Sequence, residues 1–571
     1  MSLPPVDAGV AAAAVAVLPT RLRARLDAAI EQARGWPVEP GPGAVLVRPD
    51  EQTTVTLTTP VTTDDRAVCS CLLAPRCLHR AAVLNAAPIL GSAATPASTE
   101  SPEAEPPPPS AIDTTTAQQE AARILRSAAA ALLTAGISGT GAVAQADLLR
   151  AVHQARIHGL HSAATAAVEA VELIRAARRD DPRFRLGDVT DRVRELLVTC
   201  HRVASGDGAA LGVARRDYEP VGDLHLYGLF CEPVRAATGH AGAATYLADA
   251  TGRVWVVSDV KPVIAGVTIA GPASAVDLGE VRLSHHDLSR AGLRAVNAHA
   301  SSAGRLSHGR ARQAVATAGT SWSDAALDVL WQATITDQVS RWLAAASLPT
   351  HDRRAADDLA FLDGIVAGAD RGGLILVTTT GVQVTVTAPH DDPALPYVAN
   401  LRQLAAHATG HRVRLIGRFL SARRAAGLAL SAAWLPDRHR GHIDLGSTHL
   451  TRADLPGATT PPIGPVEPPP MPPLHLVRHH LERVVATGRA ALLSGVGTDA
   501  HRLTGTHLGT GAAVLRELGA AGVRRTRDAF GRLDPHDAEL LARAWLTAAV
   551  YEQAATRELI HSSWTSERGT P

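Results

Sequence analysis

Apolar residues three and four positions apart run through residues 117–204, in ILRSAAAALL, ADLLRAVHQA and DRVRELLVTC, and this spacing predicts a helical bundle over 119–205. Ahead of it, TRLRARLDAAIEQARGW reads as a helix, GAVLV and TTVTLTT alternate as strands, and CLHRAAVLNAA reads as a short helix, a ββα-like module over 20–90. Past Asp223 the period shortens. LHLYGLFC and ATYLADATGRVWVVSD predict strands, the second a hairpin turning at Asp249–Gly252, and residues 324–348 return to helix, giving a mixed domain over 218–350. Between 355 and 436 the order is three strands (DLAFLDGIVAG, then two in GLILVTTTGVQVTVTA), a helix (NLRQLAAHA) and two strands (HRVRLIGRFLS, GLALSAAWL). That is the order of an OB-fold barrel, and residues 223–310 read as a weak duplicate of it, with a helix in HHDLSRAGL. Residues 474–565 form a helical C-terminal region.

Two stretches break these patterns: a Pro/Ser/Thr-rich segment over 91–118 and PGATTPPIGPVEPPPMPP over 456–473, both read as linkers. The expected fold class is therefore multidomain α+β: a small N-terminal ββα-like module, a helical bundle, strand-rich OB-like domains and a helical C-terminal region. With 571 residues, the chain is long enough for several cores.

Charge changes this picture little. Lys plus Arg number 56 against 55 Asp plus Glu, so the net charge of +1 gives no general attraction to nucleic acid, membrane or acidic substrate. Lys261 is the one lysine, a bias expected of a GC-rich bacterial genome. The five cysteines, at 69, 71, 77, 200 and 231, are too sparse and too odd in number for a disulfide framework, which points to a reducing, cytoplasmic location. The N-terminal Ala/Val run follows Asp7 without a preceding basic residue, so no signal peptide is expected. The strongly apolar runs fall short of the roughly 18 residues of a membrane span.

Three of those cysteines and a histidine fall within AVCSCLLAPRCLHRAAVL, as C-x-C-x5-C-x-H. Cys69 and Cys71, two apart at a strand end, direct their sulfurs to one side. Cys77 and His79 would diverge by about 200° on a regular helix, so Cys77 belongs to the loop and His79 to the first turn. Four such ligands make a closed tetrahedral site for one structural Zn2+, with no position left for a reacting water. The string resembles a SWIM-type zinc finger over residues 44–86. The resemblance assigns the zinc ligands to Cys69, Cys71, Cys77 and His79 and implies binding of DNA or protein. Large bacterial members of that family suggest an ATPase complex as one partner.

Residues 44–86 carry Arg48, Arg66, Arg76 and Arg80 against Asp50, Glu51, Asp64 and Asp65, so the finger is close to neutral and a protein partner is at least as well supported as DNA or RNA. A nucleic-acid alternative would use Arg412, Arg414, Arg418, Arg423 and Arg424, the first three on one face of a strand, with Phe419 and Trp434 nearby. His475, His479 and Glu482 share a helical face but lack the glutamate between histidines that a zincin needs, and read as solvated. His439, His442 and Asp444 read as a chance loop cluster. The glycine-rich stretch 495–511 lacks a phosphate-loop lysine and reads as a turn between helices, while Cys200 and Cys231 read as core. With no catalytic constellation in sight, the expectation is a non-enzymatic protein-interaction adaptor without a small-molecule substrate.

Overall fold

The computed structural model describes residues 3–41, 43–90, 113–214, 218–235, 240–262, 271–276, 278, 281–307, 313–348, 352–371, 373–390, 392–462, 472–527 and 534–565. It is mixed α/β with several antiparallel sheets. The cores of the expected linkers, 91–112 and 463–471, lie outside the described residues. Two compact units divide the chain: residues 1–214 with 472–555, and residues 215–471 with 556–571.

The first unit begins with α1 (Ala8–Ala16), α2 (Thr20–Arg23) and α3 (Leu26–Arg34). The helix expected across 20–36 is thus two, since Ala24 and Arg25 separate them. Four strands follow, β1 (Val38–Gly41), β2 (Ala44–Val47), β3 (Val55–Thr58) and β4 (Ala67–Cys69), as an antiparallel meander in sequence order, and then α4 (Leu78–Ala86). The module is therefore ββββα, not ββα. β1 carries Glu39 and Pro40 and β4 has three residues, so neither shows an alternating apolar run; pairing to β2 and β3 makes them strands. The bundle is α5 (Thr116–Gly139), α6 (Ala142–Ile157), α7 (His161–Arg178) and α8 (Leu186–Ala204), so the first expected linker gives way to helix at Thr116. A capping box of Thr115 and Gln118 fixes that start.

The second unit contains β5 (Tyr218–Arg235), β6 (His240–Ala248), β7 (Val254–Pro262), α9 (His285–Leu288), β8 (Gly292–Ser301) and β9 (Gln313–Thr317), in the sheet order β7-β6-β5-β8-β9. The edge strand β7 meets a later segment in parallel through a bridge from Val256 to Arg305. After α10 (Ala325–Gln332) and α11 (Ile335–Ser347) come β10 (Leu359–Asp370), β11 (Gly373–Thr378), β12 (Gln383–Thr387), α12 (Tyr397–His407), β13 (Arg412–Ser421), β14 (Arg424–Ser431) and the short β15 (Ile443–Asp444). Their order is β12-β11-β10-β13-β14-β15, and parallel pairing of β12 with β14 closes five strands into a ring. Both blocks thus place the first strand centrally, with a helix between the third and fourth strands. Leu362, Leu376, Val384, Leu401 and Leu415 fill the interior of the ring, while Phe230, Tyr246, Trp322, Phe361 and Ile416 form a separate buried layer between the two blocks.

The C-terminal helices α13 (His475–Thr487), α14 (Val496–Gly505), α15 (Gly509–Val523) and α16 (Pro535–Thr565) follow. Up to residue 555 they share the core of the first unit, through Val477, Leu481, Leu515 and Trp545, and do not form a domain of their own. The glycine-rich stretch 495–511 is mostly α14 and the start of α15, with its turn confined to residues 506–508. Gly497, Gly505 and Gly509 have open space around them, while a Cβ on Gly511 would lie 3.0 Å from the Tyr551 ring and, further along α15, one on Gly519 2.7 Å from the Val496 side chain. Tertiary contact here overrides the weak helix propensity of glycine.

A close backbone-to-backbone junction in this unit is between two glycines with positive φ. A Cβ on Gly136 (φ 69°) would sit 2.2 Å from the Gly488 backbone nitrogen, and one on Gly488 (φ 73°) 2.4 Å from the Thr134 carbonyl oxygen. Gly136→Ala is expected to destabilise the first unit by about 3 kcal/mol, from both the strained φ and the clash. Gly497→Ala, in α14 with open space around it, is expected to cost nothing. Urea unfolding followed by helical circular dichroism compares them; equal midpoints for the two variants would refute this account of the junction.

Candidate metal centre

Cys69 ends β4, where it sits opposite Val55 of β3, and Cys71 follows in the turn closed by the Ala74 amide donating to the Cys71 carbonyl at 3.0 Å. Cys77 is the N-cap of α4, extended in backbone (φ −109°, ψ 155°), and its Sγ accepts from the Arg80 amide at 3.4 Å. A helix N-terminus favours thiolate at that position. His79 follows within the first turn of α4, so the C-x-H pair converges because one member is helical and the other is not. The ligand atoms of Cys69, Cys71, Cys77 and His79 all lie within 4.8 Å of one another. Among the described residues this is the only group of three or more His, Cys, Asp or Glu side chains placed to hold a metal ion.

The donor set fits a metal. Cys69 and Cys77 are buried, and His79 Nδ1 is buried without a hydrogen-bond partner, a cost that coordination of the imidazole would help offset. A hydrogen bond from the Cys69 thiol pushes the Cys77 thiol down from its ordinary range, helped by the Arg80 amide. The same hydrogen bond, with burial, pushes Cys69 up. The two sulfurs thus compete for a proton that a cation would displace. Trp36 packs edge-on against His79, with ring centroids 6.1 Å apart.

Arg80 organises the site from behind, and the charge count of the sequence treats it only as a surface charge. It is 2 % exposed, and donates through Nε to the Ala67 carbonyl (2.7 Å) and through Nη2 to the Asp64 carbonyl (3.0 Å) and Oδ1 (2.8 Å). It ties the helix bearing Cys77 and His79 to the strand bearing Cys69. The one legible signal is helical spacing: Cys77, Arg80, Ala81 and Leu84 share a buried face of α4 and its cap. Of the other finger arginines, Arg48 pairs with Glu39 at 3.1 Å, Arg66 donates to the Pro60 carbonyl at 3.1 Å, and Arg76 is exposed.

The arginine row of β13 does keep to one face, but only Arg412 is exposed on it, and all three side chains are engaged in ion pairs. Arg412 forms a two-pronged pair with Asp363 (2.7 and 2.9 Å). Arg414 reaches Asp328 (2.5 Å) and the Trp322 carbonyl (2.6 Å), and its guanidinium lies 5.1 Å from the Trp331 ring centroid. Arg418 binds both Glu232 oxygens (3.0 and 3.2 Å), Tyr246 Oη (3.1 Å) and Asp358 (2.8 Å). Arg423 donates to the Ser563 carbonyl at 2.6 Å, and Arg424 is exposed at the start of β14. Phe419 is buried between Trp342 and Trp564, and Trp434 is half-buried against the ring interior, so neither ring offers a face for base stacking.

His475 and His479 are exposed and Glu482 accepts from Arg478 at 2.7 Å; the buried histidine of α13 is His480, bonded to Asp499 at 2.9 Å. His442 and Asp444 do come together, 3.4 Å apart and fully buried around Arg290, while His439 turns to Asp454. The sequence gives no hint of Arg290, 154 residues away from Asp444. Cys200 and Cys231 are buried, and burial pushes the Cys200 thiol up to about 12. No family model, no curated protein and no solved structure matches the chain.

Purified full-length protein is expected to carry about one equivalent of zinc, lost in Cys69→Ser or Cys77→Ser. Elemental analysis finding no metal, or a full equivalent in both variants, would exclude the site. Arg418→Ala is expected to destabilise the second unit by about 3–5 kcal/mol by leaving Glu232 buried and unpaired. Arg412→Ala, losing an exposed pair, should cost less than about 1 kcal/mol. Thermal unfolding of the two variants measures the difference, and similar losses would contradict the distinction.

Proposed function

We propose that the protein is a non-enzymatic adaptor whose N-terminal module is a SWIM-type finger, folded around one structural zinc and docking a protein partner. The observation that carries this reading is the convergence of three sulfurs and an imidazole on one point. A Cys3His shell is complete without water, so the ion would hold the loop and not catalyse. That loop, residues 71–76, exposes Leu72 completely and Leu73 largely, beside exposed Val68 on the edge strand β4. An apolar knob pinned between two pairs of metal ligands suits the apolar cleft of a protein.

The burial of Arg80 and the pairing of Arg48 reduce the positive charge the module can offer to phosphates, which favours protein over nucleic acid. The five-stranded ring supports an OB-type barrel, with α12 between the third and fourth strands and the third and fifth strands parallel. Its arginine face is engaged in ion pairs, so we assign the barrel an architectural role.

Affinity capture with the full chain, with partners identified by mass spectrometry, is expected to yield a partner that the double variant Leu72→Ser, Leu73→Ser binds at least about tenfold more weakly at unchanged zinc content. The interaction should persist as salt is raised. Binding to DNA or RNA that falls steeply with salt and is indifferent to both leucines would replace this reading with the nucleic-acid one.

A further inference from the structure

Of the three cysteines in the candidate metal site, Cys69 and Cys77 are 5 % and 1 % exposed, whereas Cys71 is half-buried and opens a turn whose next five residues are all exposed. Among the sulfur donors, Cys71 is therefore the one that a solute in water reaches first. Cys200 and Cys231 are buried and belong to different units, so neither shares this exposure.

The geometry also decides which second sulfur can follow. The ligand atoms lie within 4.8 Å of one another, so a bridge of roughly 2 Å between two sulfurs asks for a small local movement. The β-ladder runs on past Cys69: the Ser70 amide donates to the Thr54 carbonyl at 2.9 Å, and the Thr54 amide to Ser70 Oγ at 2.8 Å. An extended chain holds Cα atoms two residues apart at about 6.6 Å, near the upper limit of disulfide geometry, which disfavours a Cys69–Cys71 bridge. A Cys69–Cys77 bridge would require the oxidant to reach a buried sulfur first. Cys77 is separated from Cys71 by the whole turn 72–76, so a bridge between these two meets neither restriction.

We propose that the cluster is also an oxidation switch: hydrogen peroxide oxidises Cys71, Cys77 closes a disulfide with it, and the module gives up its zinc. This rests on the reading of the cluster as a zinc site. The Cys71 thiolate attacks one peroxide oxygen, the O–O bond breaks, and the hydroxide that leaves is protonated to water. The Cys77 thiolate then attacks the Cys71 sulfenic sulfur; the S–S bond forms as the S–O bond breaks, and a second water departs. Two thiolates, two protons and one peroxide thus give one disulfide and two waters, the sulfurs losing the two electrons that the peroxide oxygens gain. With only Cys69 and His79 left as donors, the site falls short of the four ligands of structural zinc. Leu72 and Leu73 lie between the bridged residues, so oxidation exchanges a four-point anchor of the exposed apolar loop for a single bridge.

The test titrates the zinc-loaded full chain, freed of reductant, with hydrogen peroxide, while a chromogenic chelator reads released zinc and mass spectrometry of alkylated digests maps the thiols. About one zinc per disulfide is expected, the bridge joining Cys71 to Cys77, with Cys69, Cys200 and Cys231 recovered as thiols and the starting state restored by dithiothreitol and zinc. Cys71→His keeps a donor in the shell but removes the first sulfur attacked, and should release zinc at least about tenfold more slowly; Cys69→His, which keeps both bridging sulfurs, should release it as fast as the unchanged chain. Should either variant fail to bind zinc, the disulfide map of the unchanged chain decides. Zinc retained under excess peroxide, zinc lost without a Cys71–Cys77 bridge, or equal protection by the two variants would overturn this inference and leave the zinc reading standing. A chain that neither carries nor takes up zinc would remove both.

Discussion

A guanidinium group taken out of water must find acceptors for its N–H donors, and this constraint shapes both units of the protein. Arg80 meets it with two carbonyls and a carboxylate, and in doing so joins the two halves of the metal site. Arg418 meets it with Glu232, Tyr246 and Asp358, which pins β13 of the ring to the preceding sheet. Arg290 meets it with Asp444 and the His442 carbonyl. Desolvated pairs of this kind add little net stability over apolar packing, but removing one partner is costly, so they fix how elements meet.

The same constraint bears on function. In a chain whose cations are almost all arginine, the natural inference is a surface for phosphate, yet the arginines that stand out in the sequence are largely engaged in internal ion pairs. The N-terminal module is left with an exposed apolar loop, and the β13 row with its guanidinium groups held in ion pairs. Arg175 and Arg489 meet the constraint less fully, each keeping a buried guanidinium nitrogen without an acceptor.

The candidate metal site was legible because its chemistry is local. Cys69, Cys71, Cys77 and His79 lie within eleven residues, and strand and helix geometry dictate how each pair points. The succession of three strands, a helix and two strands in the ring was legible as periodicity, whereas the order of strands in the sheet came from their pairing. β1 and β4 were not legible, because strands of three or four residues owe their conformation to the neighbours they pair with. Nor were α14 and α15 across 495–511, where four of the five glycines lie in helix and not in turns.

By itself the sequence determined what depends on nearest neighbours in the chain: helical and strand periodicity, the convergent spacing of four candidate ligands, and a nearly even charge balance. Only the tertiary structure decided which charges reach solvent. Arg80 and Arg76 are four residues apart and identical in type, yet one is sealed against Ala67 and Asp64 and the other is exposed. Burial and ion pairing are set by residues tens to hundreds of positions away, as with Arg418 and Glu232 or Arg290 and Asp444. No local pattern encodes those meetings, and they separate a surface that could hold a nucleic acid from a framework that holds the protein together.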